Sequence, residues 1–450
     1  MTVGMPITPL DEWIVGKIGA ADRPLAQTKL KSYQLARLQE TIAKAQSLSP
    51  FYRRHLASCQ PACLNRLEDI ADYPFTTATD LTEHAREMVC GSQSQISRVV
   101  TLATSGTTGK PKQVYFSKYD QELTIDFFAC GMSTLVGAGD KALILLPGER
   151  PGSVGELLLQ GLNRIGAIPV AYGLVDDLAG AVQTMCREQA TCLVGVPAQV
   201  LAMARYWEKW DKSTWKPRCA LVSTDYVSGA IVNEIRRIWN CEVFDHYGMT
   251  EMGLGGGLEC AAHTGCHLRE ADLYFEIIDP VSGVALPDGE YGEVVFTTLT
   301  RQGMPLVRYR TGDISRFITE PCPCGSKLRR LERIRCRKDG LIHLPQAGTF
   351  VMADFDDVLF GLPGVTNFTV TVIKAAPLII KIVVEVVPGQ PLPDKFRILQ
   401  AARQLPVVRE AEEQGSIVLA GEFTRKLLIP PGKRSIQVTD ITEEAVLHVK

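Results

Sequence analysis

Hydrophobic positions change their spacing along this chain, and each change predicts a different kind of element. Leu30, Tyr33, Leu38 and Ile42 recur at helical spacing through residues 28–49, where the run meets the Ser49-Pro50 step, so an amphipathic helix is predicted there. Further on, short apolar or β-branched runs at 99–103, 142–146, 192–196, 220–224 and 241–244 alternate with longer mixed stretches such as 227–239. Strand alternating with helix predicts a layered α/β sheet. From Tyr274 the rhythm shortens to YFEIIDP, SGVALPDGEYG, EVVFTTLT and PLVRYRTGD. That texture predicts antiparallel strands, with Pro287-Asp288-Gly289 as a turn. After Asp339 come helix-like segments and two strand-like ones, TNFTVTVIK and PLIIKIVVEVV. The expected fold is α/β: a large N-terminal α/β layered region with a β subdomain (residues 1–338), then a small mobile C-terminal α+β lid domain (339–450).

Composition narrows the partners. A chain of 450 residues, 46% hydrophobic, can bury a large core, and two or three domains are expected of that length. The 48 basic and 50 acidic residues are interspersed and leave a net charge of -2, so no footprint for nucleic acid or an anionic membrane is expected. No apolar run approaches the roughly 18 to 20 residues of a membrane span, and the first residues lack a basic start followed by a long apolar stretch. A soluble, cytoplasmic protein, monomer or homodimer, is expected. Thirteen cysteines, an odd count, fit a reducing compartment in which thiols stay free or bind metal.

The stretch most informative about chemistry is TSGTTGKPK, from Thr104 to Lys112, directly after the apolar VVTLA. Small residues let the backbone approach an anion, hydroxyls can donate to phosphate oxygens, and Lys110 adds positive charge. A phosphate loop is predicted from Ser105, Gly106, Thr107, Thr108, Gly109 and Lys110. The lysine follows Thr-Thr-Gly and precedes proline, which departs from the Walker A spacing and disfavours a P-loop NTPase.

TSGTTGKPK resembles the phosphate loop of the adenylate-forming superfamily of acyl-CoA synthetases, adenylation domains and luciferases. Three more segments repeat the match in order. DHYGMTE, from Asp245 to Glu251, resembles that superfamily's adenine and magnesium motif, Tyr309–Asp313 (YRTGD) its ribose motif, and Arg337-Lys338-Asp339 its hinge. Within the superfamily, SPFYRRHL, GMPLVRYRTGD and CPCG resemble phenylacetate-CoA ligases and coenzyme F390 synthetase-like proteins.

The resemblance implies a role for each matching residue. Asp313 would accept both ribose hydroxyls, as a carboxylate at a strand end can. Thr250 would meet the α-phosphate and Glu251 would hold Mg²⁺, a hard cation that takes oxygen ligands. Tyr247 would lie against adenine, with Asp245 on its exocyclic amine and Gly248 and Met249 completing the motif. His246, inside that motif, is a structural ring or a wall of the acyl pocket. Ser223, Thr224 and Asp225 stand where relatives carry a small-residue adenine loop, usually Gly-Ala-Glu. Arg337 would act on ribose or phosphate beside the Asp339-Gly340 hinge, where relatives usually carry a second acid at the position of Gly340. A late lysine is implied for transfer: Lys433, with Lys426 as its competitor, would stabilise developing negative charge. Acyl-pocket positions are expected from 124–134 and around Tyr247, with Phe127, Phe128 and Met132 suggesting an apolar, aromatic-accepting site.

A second constellation reads as a metal site. Cys260-x2-His263-x2-Cys266-His267 precedes the β region and Cys322-Pro323-Cys324 follows it, so strands that go out and return could bring the two knuckles together. Structural Zn²⁺ takes four S or N ligands. Cys260, His263, Cys322 and Cys324 are the favoured set, with Cys266 or His267 as substitutes.

The expected reaction is ATP-dependent activation of a carboxylic acid, aromatic in kind, to an acyl-adenylate, followed by thioester formation with coenzyme A. The cofactors and substrates are ATP/AMP, Mg²⁺, coenzyme A and structural Zn²⁺. Adenylyl transfer to a hydroxyl-bearing coenzyme, acyl loading of a carrier protein, and a non-catalytic nucleotide-binding regulator are the competing readings.

Overall fold

The computed structural model describes residues 6–20, 25–102, 111–210, 213–344, 346–389, 394–425 and 434–440. The fold is mixed α/β, with layered helices and strands, an antiparallel β portion and a small C-terminal α+β portion. The early helix runs Gln27–Leu48 and buries Leu30, Leu38 and Ile42. Ser49 ends it and opens the next helix, Pro50–His55, by accepting from the Tyr52 amide at 3.2 Å, as an N-cap ahead of an N1 proline should. The chain divides into two compact units, one made of Met1–Gly139, Pro147–Ile168 and Phe244–Ile334, the other of Asp140–Leu146, Pro169–Val243 and Arg335–Lys450.

In the first unit, Leu273–Ile278, Gly292–Thr298 and Tyr309–Ser315 form an antiparallel meander, with Pro287-Asp288-Gly289 between the first two strands. Glu242–Tyr247, Gly257–Glu259, Cys266–Leu268, Arg330–Leu331 and Phe317–Ile318 pair in that order, antiparallel. Ile96–Leu102 and Lys112–Ser117 pair as a hairpin around residues 103–110. The phosphate-loop residues Ser105, Gly106, Thr107, Thr108, Gly109 and Lys110 therefore lie outside the described residues. Helix Lys118–Met132 starts with a capping box, Ser117 Oγ accepting from the Asp120 amide and Asp120 Oδ2 from the Ser117 amide, which satisfies two amides a helix start leaves unpaired. Asp120 also accepts from the amides of Gln302 at 2.7 Å and Gly303 at 2.9 Å.

In the second unit, Lys141–Ile144, Cys192–Gly195 and Cys219–Ser223 are parallel neighbours. The helix Gly229–Trp239 is capped by Ser228 and closes on Asn240 in the left-handed region, the usual way to satisfy a C-terminus. Val365–Lys374 and Leu378–Val386 form a hairpin joined in parallel by Gln437–Asp440 and Ile417–Thr424. One buried cluster unites Trp207, Ile231, Ile235 and Trp239 with Phe355, Phe360, Phe368 and Ile380. Arg205, 3% exposed, donates to the carbonyls of Val365 and Phe360. No helix among the described residues is long and apolar enough to cross a membrane.

Candidate active site

The first unit gathers most of the residues singled out above. Strand Glu242–Tyr247 delivers Asp245, His246 and Tyr247, and the short 3-10 turn Thr250–Met252, preceded by Met249, delivers Thr250 and Glu251. The chain turns between them at Gly248, where a Cβ would fall 2.3 Å from the Leu254 carbonyl oxygen. Only glycine fits that approach. Asp313, 1% exposed, comes from strand Tyr309–Ser315, and its Oδ2 accepts from the Tyr247 hydroxyl at 3.1 Å. The adenine and ribose motifs are thus joined by a hydrogen bond.

Glu251 is buried, and its Oε1 takes the Lys112 ammonium at 2.6 Å and the Tyr309 hydroxyl at 3.2 Å. Burial works to raise this carboxyl, but the Lys112 ammonium and the two donors outweigh it and the net shift is downward, so the group is held ionised. Lys112 and Tyr309 stand inside the quoted motifs without having been assigned roles. Their distance from Glu251 in sequence hid the contact.

Asp245 faces Glu259 and Arg333. Its amide donates to Glu259 Oε2 at 3.0 Å, and Arg333 reaches Glu259 Oε1 at 2.8 Å and Asp245 Oδ2 at 3.6 Å. Burial first, and the Glu259 charge second, push the Asp245 carboxyl up to about 7 against the pull of Arg333. His246 is flanked by Phe127 and Phe128, each with ring centroids 6.2 Å away. Burial and the Arg269 charge push its imidazole down to about 4, so the ring is neutral at neutral pH. Gly255 lies against this wall, where a Cβ would meet Phe127 Cε1 at 2.3 Å.

Other residues singled out in the sequence belong to the second unit. Ser223 ends the strand Cys219–Ser223, Thr224 has φ +78°, and Asp225 Oδ2 takes Arg434 Nε at 2.6 Å. Arg434 also lies 2.8 Å from Asp356 and stacks on Phe360 and Phe368. Arg337 Nε is 3.5 Å from Asp339. Lys433 and Lys426 lie outside the described residues.

The cysteine knuckles converge with one correction. Cys260, Cys322 and Cys324 are joined by His267, not His263, with the four ligating atoms within 4.8 Å of one another. Cys260 Sγ lies 3.6 Å from Cys322 Sγ, and His267 Nε2 lies 3.5 Å from Cys324 Sγ. His263 instead turns its Nδ1 to Glu259 at 3.3 Å and packs on Phe244. His263 sits at φ +51° in the turn before the strand Cys266–Leu268, and within that strand Cys266 and His267 point to opposite faces. Cys266 Sγ turns to the Asp245 carbonyl, which leaves His267 toward the sulfurs.

Asp313, hydrogen-bonded to Tyr247, and the buried Glu251 stand on segments that resemble adenylate-forming motifs, set on layered α/β and antiparallel sheets. The profile of the AMP-binding enzyme family matches residues 57–300, more than half of the chain. The phenylacetate-coenzyme A ligase of Pseudomonas putida is 31% identical over 332 residues, 71% of this chain and 73% of that one. The enzyme of the same name from Thermus thermophilus is 28% identical over 433 residues, 91% and 94% of the two chains. Among solved structures, 2-hydroxyisobutyryl-CoA ligase in its postadenylation state matches with a TM-score of 0.78 at 20% identity, covering 94% of this chain and 92% of the other, a likeness of fold. The chain belongs to the AMP-binding enzyme family and, within it, is an AMP-forming acid–CoA ligase of the phenylacetate-CoA ligase-like kind.

Proposed function

We propose that this ligase activates a carboxylic acid with an apolar, aromatic body and passes the acyl group to coenzyme A. The observation that carries the reading is the meeting in one unit of Tyr247, Asp313, Glu251 and Lys112 beside a wall of Phe127, Phe128 and His246. The acid carboxylate attacks the α-phosphorus of ATP and pyrophosphate leaves. The coenzyme A thiolate then attacks the acyl carbonyl, and AMP departs. Positioning and charge neutralisation supply most of the catalysis, and no side chain need become acylated.

Asp313 binds the ribose, Tyr247 and Asp245 meet the adenine, and Ser223, Thr224 and Asp225 form the adenine loop, with Asp225 anchored by Arg434. Thr250 and the 105–110 loop bind phosphate, and Arg337 assists. Glu251 would hold Mg²⁺, which neutralises phosphate oxygens when bound. The fit is supported by the Lys112 ammonium on the same carboxylate, a position already suited to a cation. In this reading, residues 339–450 turn about Asp339-Gly340 between the half-reactions, bringing Lys433 to the first and removing it for the second.

Zn²⁺ fits Cys260, His267, Cys322 and Cys324. Metal–sulfur bonds of about 2.3 Å in a tetrahedron put sulfurs roughly 3.8 Å apart, close to the 3.6 Å between Cys260 and Cys322. Burial first, and the Arg330 charge second, push His267 down to about 4, which keeps the imidazole in its neutral, ligating form. Three sulfurs and one nitrogen would fill the shell, so the ion would be structural.

Pyrophosphate exchange over a panel of carboxylic acids, followed by coenzyme A with the best one, tests the reading. Exchange with an aromatic acid and a coenzyme A thioester as product are expected. Adenylate formed but passed only to a hydroxyl or a carrier protein would replace the acceptor. Nucleotide-dependent heat stabilisation without exchange would leave a regulator.

A further inference from the structure

In the first unit, Arg269 and Arg308 are buried to 2% and 1% exposure, and each holds a carboxylate. Arg269 pairs with Asp272 at 2.7 Å, and Arg308 with Glu276 at 2.8 Å. Arg301, 7% exposed, differs. Its Nη1 donates to the Glu251 carbonyl at 2.8 Å and its guanidinium lies 4.7 Å from the Phe116 ring centroid, yet among the described residues no carboxylate lies within ion-pair distance. Asp120, nearest in charge, spends its oxygens on the amides of Ser117, Gln302 and Gly303. Glu251 spends its carboxylate on Lys112 and Tyr309. Among the described residues, Arg301 Nη2 is buried without a hydrogen-bond partner. A buried charge without a close ion-pair partner is costly to keep and persists where a ligand or another group offsets that cost.

Nη2 faces Gly253 and Thr124. It lies 3.5 Å from where a Cβ of Gly253 would be, and Thr124 Oγ1 lies 3.4 Å from the same point. Gly253 has φ +76°, a conformation that side chains rarely adopt, and no side chain fills this position. Thr124 Oγ1 donates to the Gly253 carbonyl at 2.9 Å, which ties this spot to the helix carrying Phe127 and Phe128. Arg301 thus stands behind the Thr250–Met252 turn, where acid and α-phosphate come together in the proposed reaction.

We propose that Arg301 is a substrate-binding residue whose Nη2 receives an oxyanion, that of the acid's carboxylate or of the α-phosphoryl group. The inference rests on the proposed adenylation reaction and adds to it a cation no motif contains. Burial holds the guanidinium pKa down to about 10, still protonated at neutral pH.

The test uses Arg301→Met and Arg301→Lys in the full chain, with KM for acid and for ATP measured separately by pyrophosphate exchange and thermal unfolding followed alongside. Loss of a charge-assisted hydrogen bond should raise one of the two KM values roughly 10- to 100-fold in Arg301→Met, with partial recovery in Arg301→Lys. A rise confined to the acid assigns the carboxylate, and one confined to ATP assigns the α-phosphoryl group. The unfolding midpoint should hold or rise, because a desolvated charge has been removed. Wild-type KM values in both variants overturn the inference while leaving the reaction intact, and Arg301→Lys alone decides if Arg301→Met does not fold. A wild-type enzyme that exchanges with no acid overturns the proposed reaction and this inference with it.

Discussion

The two compact units bury different things. The first encloses Asp120, Glu251, Glu259, Arg269, Asp272, Glu276, Arg308 and Asp313 among its apolar residues, whereas the second, around Trp207, Trp239, Phe355, Phe360 and Phe368, encloses few charges beyond Arg205 and Asp356. Buried ion pairs contribute little net stability against well-packed apolar residues. Their concentration in the unit that holds Asp313, Tyr247 and Glu251 therefore points to chemistry as the reason for keeping them. Damage to the buried charges around Asp313 and Glu251 should appear in kinetic constants, and damage to the second unit's apolar cluster in unfolding.

The largest effect that would sharpen this contrast is Phe368→Ala, which empties a fully buried site and should cost about 3–5 kcal/mol by denaturant unfolding. The KM for ATP should stay at the wild-type value below the transition, and a large KM change would blur the division. Next comes Lys433→Ala, expected to cut pyrophosphate exchange by at least about 100-fold with little change in ATP affinity, since the lysine acts on transition-state charge. A near-normal Lys433→Ala beside an inactive Lys426→Ala would mean that the tail is misaligned. Asp313→Ala should weaken ATP binding roughly 10-fold or more, because the ribose contact exists in the ground state. Unchanged affinity by calorimetry would remove the ribose assignment, and a large loss of stability would make Asp313 a structural acid like those of an ordinary core.

Cysteines give the finest comparison. Cys322→Ser in the first unit should take elemental zinc from about one per chain to none, with a lower unfolding midpoint and only indirect effects on exchange. Cys192 and Cys219 are buried neighbours on parallel strands of the second unit but belong to no group of three or more potential metal ligands among the described residues. Cys219→Ala should cost no more than about 1–2 kcal/mol and no metal. Zinc-free wild-type protein of normal stability would make both groups packing thiols alike.

What was legible in the sequence was local. The helix Gln27–Leu48 and the strands near 192, 219 and 242 follow from spacing that any neighbour in the fold would respect. DHYG and YRTGD were legible because their residues are consecutive, and tight turns such as Gly248 demand particular residue types. The hidden contacts are long-range. Lys112 meets Glu251, and Arg434 meets Asp225, across long stretches of chain whose path no motif encodes. His267 against His263 was a question of whether a short strand or the turn before it meets the sulfurs, and that is fixed only once the sheet is known. Arg301 carried no signal of its own, because the absence of an acid near it is visible only in three dimensions.

The apolar seam in the second unit, where Trp207, Ile235 and Trp239 share one cluster with Phe355, Phe360 and Phe368, gives the proposed turning of residues 339–450 a thermal signature. Parting such a seam hydrates apolar surface, and hydration of apolar surface raises heat capacity. A step that waits on that parting has an activation enthalpy that climbs with temperature, so its Eyring plot bends. Adenylation, with the seam closed throughout, would follow a straight line over the same range. Temperature would then select the limiting half-reaction, with waiting acyl-adenylate accumulating on one side of the crossover and free enzyme on the other.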